Sequence, residues 1–231
     1  MMNSKEWEKL KNNYEILIEK IEKKAEFSGR KKEDIIIVAA TKDVPSYKIE
    51  MAIDLGIKII GENRVQEAEK KIEEVKKEAE WHMIGNLQRN KVKKAIKIFK
   101  MIQSVDSLKL AEEIDKRALQ KYPVLIEVNT SFEETKHGFL PEELLRDFEK
   151  ILSFKNLNIL GLFTLGPYPV EEKKSREAFK NLRELKEKIE KEYNLNLPYL
   201  SMGMSEDFEY AIEEGANMIR IGRFLFGERE K

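Results

Sequence analysis

The chain has 231 residues, 41% hydrophobic and 37% charged, enough for a sizeable core beneath a heavily solvated surface and suited to one large domain. Lys and Arg total 43 and Asp and Glu total 43, so the bulk basic excess typical of nucleic-acid binders is missing. Cysteine is absent and histidine occurs twice, which excludes disulfides, thiolate ligands, a Cys nucleophile and a zinc site of ordinary type.

The amino terminus, MMNSKEWEKL, lacks an apolar stretch of signal-peptide length, and no run of about 18 apolar residues occurs anywhere. The expectation is a cytoplasmic, monomeric protein without a membrane partner. From residue 3 to about 27, Trp7, Leu10, Tyr14, Leu17, Ile18 and Ile21 recur at helical spacing amid charge. This predicts an amphipathic helix within residues 1–28, laid outside the rest.

After Ser28-Gly29 short apolar runs alternate with charged helical stretches. The runs are 35–40, 57–60, 81–84, 101–105, 124–128, 157–163, 199–202 and 218–221. Helical periodicity fills 47–55, 64–79, 88–99, 108–119, 141–154, 171–193 and 207–214. Strands alternating with helices imply βαβ units and a parallel sheet buried on both faces. Roughly eight units in this length suit a closed (β/α)₈ barrel, an α/β fold. A doubly wound open sheet is the alternative, but neither G-x-G-x-x-G after the first strand nor a P-loop is present. No linker interrupts the chain, and residues 224–226 follow the last strand as a short apolar tail expected to pack as core. One domain over 1–231 is expected, with no second domain.

In such barrels chemistry collects where strands end. Lys42 follows IIIVAAT, so its amine can point into the mouth; a partly desolvated lysine that loses its proton can form an imine. The same residue could be a surface loop lysine. YLSMGMS (199–205) and IRIG (219–222) follow the last two strands, where phosphate sites are often built. There Ser201 offers a hydroxyl, Gly203 and Gly222 allow close backbone approach, and Ser205 reads as an N-cap. The bland alternative is a glycine turn before a capped helix. Asn63 reads either as a site residue or as a helix cap, and His82 either as a site residue or as a satisfied core histidine. Lys136 is a candidate second amine near the mouth.

Taken together, VAATK (38–42), GENRVQE (61–67), WHMIGNLQRNK (81–91), VNTSFEETKHG (128–138), GLFTLGP (161–167), LSMGMSEDF (200–208) and IRIGRFLFGER (219–229) resemble the pyridoxal phosphate homeostasis protein family, single-domain relatives of the alanine racemase barrel. The resemblance implies a fold type III TIM barrel that carries pyridoxal 5′-phosphate (PLP) as a Schiff base on Lys42. It implies that Ser201 and backbone near Gly203, Gly222 and Arg223 hold the phosphate, that Arg220 faces the pyridine nitrogen, and that Asn63 and His82 lie beside the ring. Arg223 stands where many members carry Thr or Ser, and Asp43-Val44 departs from the frequent Thr-Lys. An arginine cannot readily give up its proton, so the electron sink would be weak. The implied job is a PLP carrier without efficient catalysis, whose partners are PLP, amino acids and PLP-dependent apo-enzymes. A low-activity amino-acid racemase and a cofactor-free Schiff-base aldolase remain as alternatives.

Overall fold

The structure, a computed structural model, describes residues 4–228. Eight strands, β1 (Ile36–Ala40), β2 (Ile59–Glu62), β3 (Glu80–Met83), β4 (Met101–Val105), β5 (Tyr122–Glu127), β6 (Leu157–Phe163), β7 (Tyr199–Ser201) and β8 (Met218–Ile221), lie parallel. The order is sequential and β8 closes on β1, with Val38 beside Arg220, so the sheet is a barrel without edges. The open-sheet alternative is thereby set aside.

Helices α1 (Ser4–Phe27), α2 (Ser46–Asp54), α3 (Val65–Glu74), α4 (Val92–Ile98), α5 (Leu108–Arg117), α6 (Pro141–Leu152), α7 (Glu172–Tyr193), α8 (Phe208–Glu213) and α9 (Arg223–Phe226) account for the charged stretches. The main core lies between strands and helices, and a smaller apolar plug of Val38, Ile84, Met101, Leu125, Phe163 and Met218 fills the barrel interior. That division follows from the period of two along each strand, which sends alternate side chains inward and outward.

In α1, Leu10, Leu17, Ile21 and Ala25 form the buried stripe, which packs over α8 and α9. Each of the larger three contributes roughly 1.5–3 kcal/mol by leaving water. Polar ties fix its register: Lys20 Nζ donates to Glu209 at 2.6 Å, and Asn13 Nδ2 donates to the Leu225 carbonyl at 3.0 Å. Just beyond the helix, Arg30 donates to the Ala216 carbonyl at 2.7 Å and to that of Ile212. The apolar tail expected at 224–226 is α9, with Leu225 fully buried.

Several boundaries differ from the sequence expectation. The second strand starts at Ile59, because Gly56 at φ +109° and the Ile57 N–H bonded to Ala52 complete the end of α2. Gly61 and Glu62 are therefore strand residues. The stretch expected to be helical over 64–79 stops at Glu74, and 88–99 opens with a 3₁₀ turn, Arg89–Lys91, before α4.

Candidate functional site

Lys42 leaves the barrel two residues after β1 and is half-buried. Its flanks are pinned from β2 and α3. Thr41 Oγ1 donates to Glu62 Oε1 at 2.5 Å, Lys71 Nζ donates to the Thr41 carbonyl, and the Asp43 N–H donates to Glu67 Oε1 at 2.7 Å. Lys71 also meets Glu62 at 2.7 Å and Glu67 at 2.6 Å, and Asp43 turns the chain at φ +60°. Burial pushes the Glu62 carboxyl up against the pull of Lys71, and its Oε2 has no hydrogen-bond partner. These five residues hold the lysine where the strand end points it.

Two cavities flank that strand end. Ala40 lines one, of about 130 Å³, with Met204, Ser205, Arg220, Gly222 and Arg223. Lys42 lines the other, of about 420 Å³, with Asn63, Arg64, Asn86 and Lys91. Lys42 and Asn63 thus line one of these cavities, and Arg220, Gly222 and Arg223 line the other.

The smaller cavity is built from the turns after β7 and β8. Gly203 adopts φ +91°, and a Cβ there would sit 2.5 Å from that of Ala211. Its carbonyl accepts the Arg220 N–H at 2.9 Å, tying the two turns together. A Cβ on Gly222 would approach the Ala40 carbonyl at 3.1 Å, so the β8 turn lies close against β1. Ser205 does not cap α8; Asp207 occupies that position, and its Oδ1 accepts the Met204 N–H at 2.6 Å. Instead Ser205 Oγ accepts from the N–H groups of Gly222 at 3.2 Å and Phe224 at 3.1 Å. Converging backbone N–H groups beside a hydroxyl suit an anion.

Ser201 lies elsewhere. Fully buried, it donates to Gln103 Oε1 at 2.7 Å and accepts from Arg220 Nη1 at 2.9 Å. Both bonds are internal, so its hydroxyl supports Arg220 from below, and the hydroxyl that lines the cavity is that of Ser205. His82 is likewise a layer down, 2% exposed. Because Gln103 Oε1 accepts from Ser201, its Nε2 is the atom that donates to His82 Nδ1, at 3.0 Å. That leaves the ring proton on Nε2, and burial pushes the imidazole down to about 4, so it is neutral at pH 7. His82 lines neither cavity, and Asn63 makes no capping bond to α3.

Arg220 is the hub of this polar layer. It donates to Ser201 and to the Thr164 carbonyl at 2.7 Å, and its guanidinium lies 4.0 Å from the Phe163 ring centre. Burial lowers it to about 10, opposed by Asp207 and Glu127, so it stays protonated. Glu127 was not singled out by the sequence. At 4% exposure near Asp106 it is pushed up to about 7, mainly by burial and only partly offset by Arg220. Strand alternation was the signal that could have found it, since Leu125 and Glu127 share the inward face of β5. Arg223 reaches outward to Glu206. Lys136 is engaged by Glu133 at 2.7 Å, Ser131 at 3.1 Å and the Gly166 carbonyl, so it holds its own loop to the end of β6.

The family model described as alanine racemase, N-terminal domain, matches residues 8–230, which places this barrel in that class of protein. The pyridoxal phosphate homeostasis protein of Aquifex aeolicus is 47% identical over 218 residues, covering 93% of this chain and 96% of the relative. Among solved structures, an unknown protein from Bifidobacterium adolescentis superposes with TM-score 0.90 at 32% identity, covering 98% of each chain. PipY of Synechococcus elongatus with PLP bound superposes with TM-score 0.79 at 31% identity, covering 90% of this chain and 100% of that one. The chain belongs to the pyridoxal phosphate homeostasis protein family.

Proposed function

We propose that the protein binds PLP covalently through Lys42 and serves in its intracellular homeostasis, holding the cofactor more than using it. The observation that carries this reading is the position of the Arg220–Gly222–Ser205 cavity on the β1–β8 seam, lined by Ala40, two residues before Lys42. The relatives' names and the PLP-bound PipY structure support it.

The residues fit the group. PLP supplies an aldehyde that forms a Schiff base and a pyridine ring that can act as an electron sink. The Lys42 amine is the imine-forming group, steadied by Thr41 and Asp43. Ser205 with the N–H groups of Gly222 and Phe224 would hold the phosphate; Gly203 lets the two turns approach, and the Arg223 side chain stays on the rim. Arg220, propped by Ser201 and Thr164, keeps its proton and would sit beside the ring nitrogen as a donor, where it would leave that nitrogen unprotonated and the sink weak. The buried neutral His82 and Gln103 act through Ser201 to hold Arg220. Weak carbanion stabilisation is the chemical reason for a carrier in place of an efficient racemase, and a cofactor-free aldolase would leave the Ser205 cradle without an anion.

Borohydride reduction followed by peptide mass mapping tests this reading. A phosphopyridoxyl adduct is expected on the Lys42 peptide; a colourless protein without adduct would favour the aldolase reading. A steady turnover of L- to D-amino acid that is lost in Lys42→Ala would favour the racemase.

A further inference from the structure

Gln103 is fully buried and lies two residues along β4 from Met101 of the apolar plug, so the two share the inward face. An amide taken out of water costs free energy unless its hydrogen bonds are remade, and a methionine would fill the same space without that cost. The register of β4 against β5 also shifts between Ile102 and Val105, a bulge that spans Gln103 and Ser104. Bulges re-aim side chains and gather beside functional sites.

The amide joins strands that stand opposite each other in the closed barrel. It lies 3.0 Å from His82 Nδ1 on β3 and 2.7 Å from Ser201 Oγ on β7. The direction of this chain is dictated by Arg220. A guanidinium donates and never accepts, so Ser201 Oγ accepts from Arg220 Nη1, at 2.9 Å. The Ser201 proton then goes to Gln103 Oε1, Gln103 Nε2 donates to His82 Nδ1, and the imidazole keeps its proton on Nε2. That nitrogen faces Glu80 Oε2 at 3.6 Å. Glu80 opens β3, at the end of the barrel opposite Lys42, and its side chain is largely exposed. An unbroken polar chain therefore runs from the floor of the barrel to Arg220. Turned over, the Gln103 amide would fit only a ring protonated on Nδ1, and it would leave the Ser201 proton without an acceptor.

We propose, on the reading that places Arg220 beside the cofactor ring, that Gln103 couples the floor of the barrel to its mouth. The orientation of its amide ties the choice of protonated nitrogen in His82 to the anchoring of Arg220 by Ser201. In the observed orientation Ser201 is free to accept from Arg220. In the other, the hydroxyl must turn to satisfy its own proton, and Arg220 keeps only the Thr164 carbonyl as an anchor. Coupling of this kind is reciprocal: a change at Arg220 registers in the imidazole, and a change at Gln103 registers at Arg220. Gln103 is thus a positioning residue, linked to the cofactor through Ser201.

The cofactor-free protein gives one half of the test. Its sequence holds two histidines, so nitrogen NMR at neutral pH reads the His82 ring, with His82→Gln to assign it. The parent is expected to show a bare Nδ1 and a protonated Nε2. Arg220→Gln replaces a pure donor by an amide that also accepts, so the His82 signals should shift toward the Nδ1-protonated form. A parent ring protonated on Nδ1, or His82 signals untouched by Arg220→Gln, overturns the coupling.

The second half uses bound PLP. Gln103→Met, or Gln103→Leu where the methionine variant does not fold, should shift the imine absorbance in the same sense as Ser201→Ala. Combined with Ser201→Ala it should shift the absorbance no further, because Gln103 acts through that serine. Shifts that add, or a Gln103→Met spectrum identical to the parent while Arg220→Gln changes it, overturn the positioning role. If Arg220→Gln also leaves the spectrum unchanged, the reading of Arg220 is what fails.

Discussion

Lys71 Nζ lies 2.7 Å from Glu62 Oε1, and both side chains are almost completely removed from solvent. The pair sits outside the barrel, between β2 and α3, yet the same ammonium holds the Thr41 carbonyl next to the lysine that matters. A structural ion pair and the site are therefore one network.

Removing one member strands the other. Lys71→Met should destabilise the fold by about 3–5 kcal/mol, because Glu62 is left as an uncompensated buried charge. In urea titrations the Glu62→Gln/Lys71→Met double variant should recover part of that loss. A single variant as stable as the parent would mean that the pair contributes nothing.

Glu127 and His82 make opposite contributions across the same pH range. Glu127 is raised from 4.5 to about 7, so the folded state binds the extra proton and stability falls as pH rises through that window. His82 is lowered from 6.5 to about 4, so the unfolded state binds the extra proton and stability rises from about pH 4 to 6.5. Each contribution amounts to roughly 3 kcal/mol, and in the parent they largely cancel. Glu127→Gln should therefore gain stability relative to the parent between pH 4.5 and 7, and His82→Gln should lose it. Differences in urea midpoint that do not change with pH would sink this account.

The two serines should separate by ligand. Ser205→Ala is expected to weaken retention of PLP by roughly 10-fold, the scale of one or two hydrogen bonds to a charged group, and to affect pyridoxal, which lacks the phosphate, much less. Ser201→Ala acts through Arg220 and should affect both ligands alike while shifting the imine absorbance. Equal behaviour of the two variants would place the phosphate elsewhere.

On the proposed placement of Arg220 beside the ring nitrogen, Arg220→Gln should weaken PLP retention and alter the absorbance of the bound cofactor. It also removes the donors to Ser201 and Thr164, at a cost of about 1–3 kcal/mol of stability. An unchanged spectrum and affinity would contradict the place assigned to Arg220.

Gly203→Ala should cost about 1–3 kcal/mol, because the new Cβ meets Ala211 and φ is +91°. Thermal unfolding measures this directly; an unchanged midpoint would mean that the turns after β7 and β8 can relax.

By itself the sequence determined the alternation of strands and helices, the barrel that this alternation closes into, and the strand-end positions of Lys42 and Arg220. Those features are local: apolar runs of strand length, helical periodicity and the residue that follows each run. It could not settle which side chains at the rim face the cavity. Ser201 and Ser205 lie four residues apart in one motif, and only the closure of β7 and β8 against β4 and β1 decides that the first props Arg220 while the second receives the backbone N–H groups. His82 was ambiguous and Glu127 passed over for the same reason, since burial and electrostatic field come from strands distant in sequence. The anchoring of Lys42 by Glu62, Glu67 and Lys71 is tertiary as well, because β2 and α3 reach the lysine only once the barrel has closed.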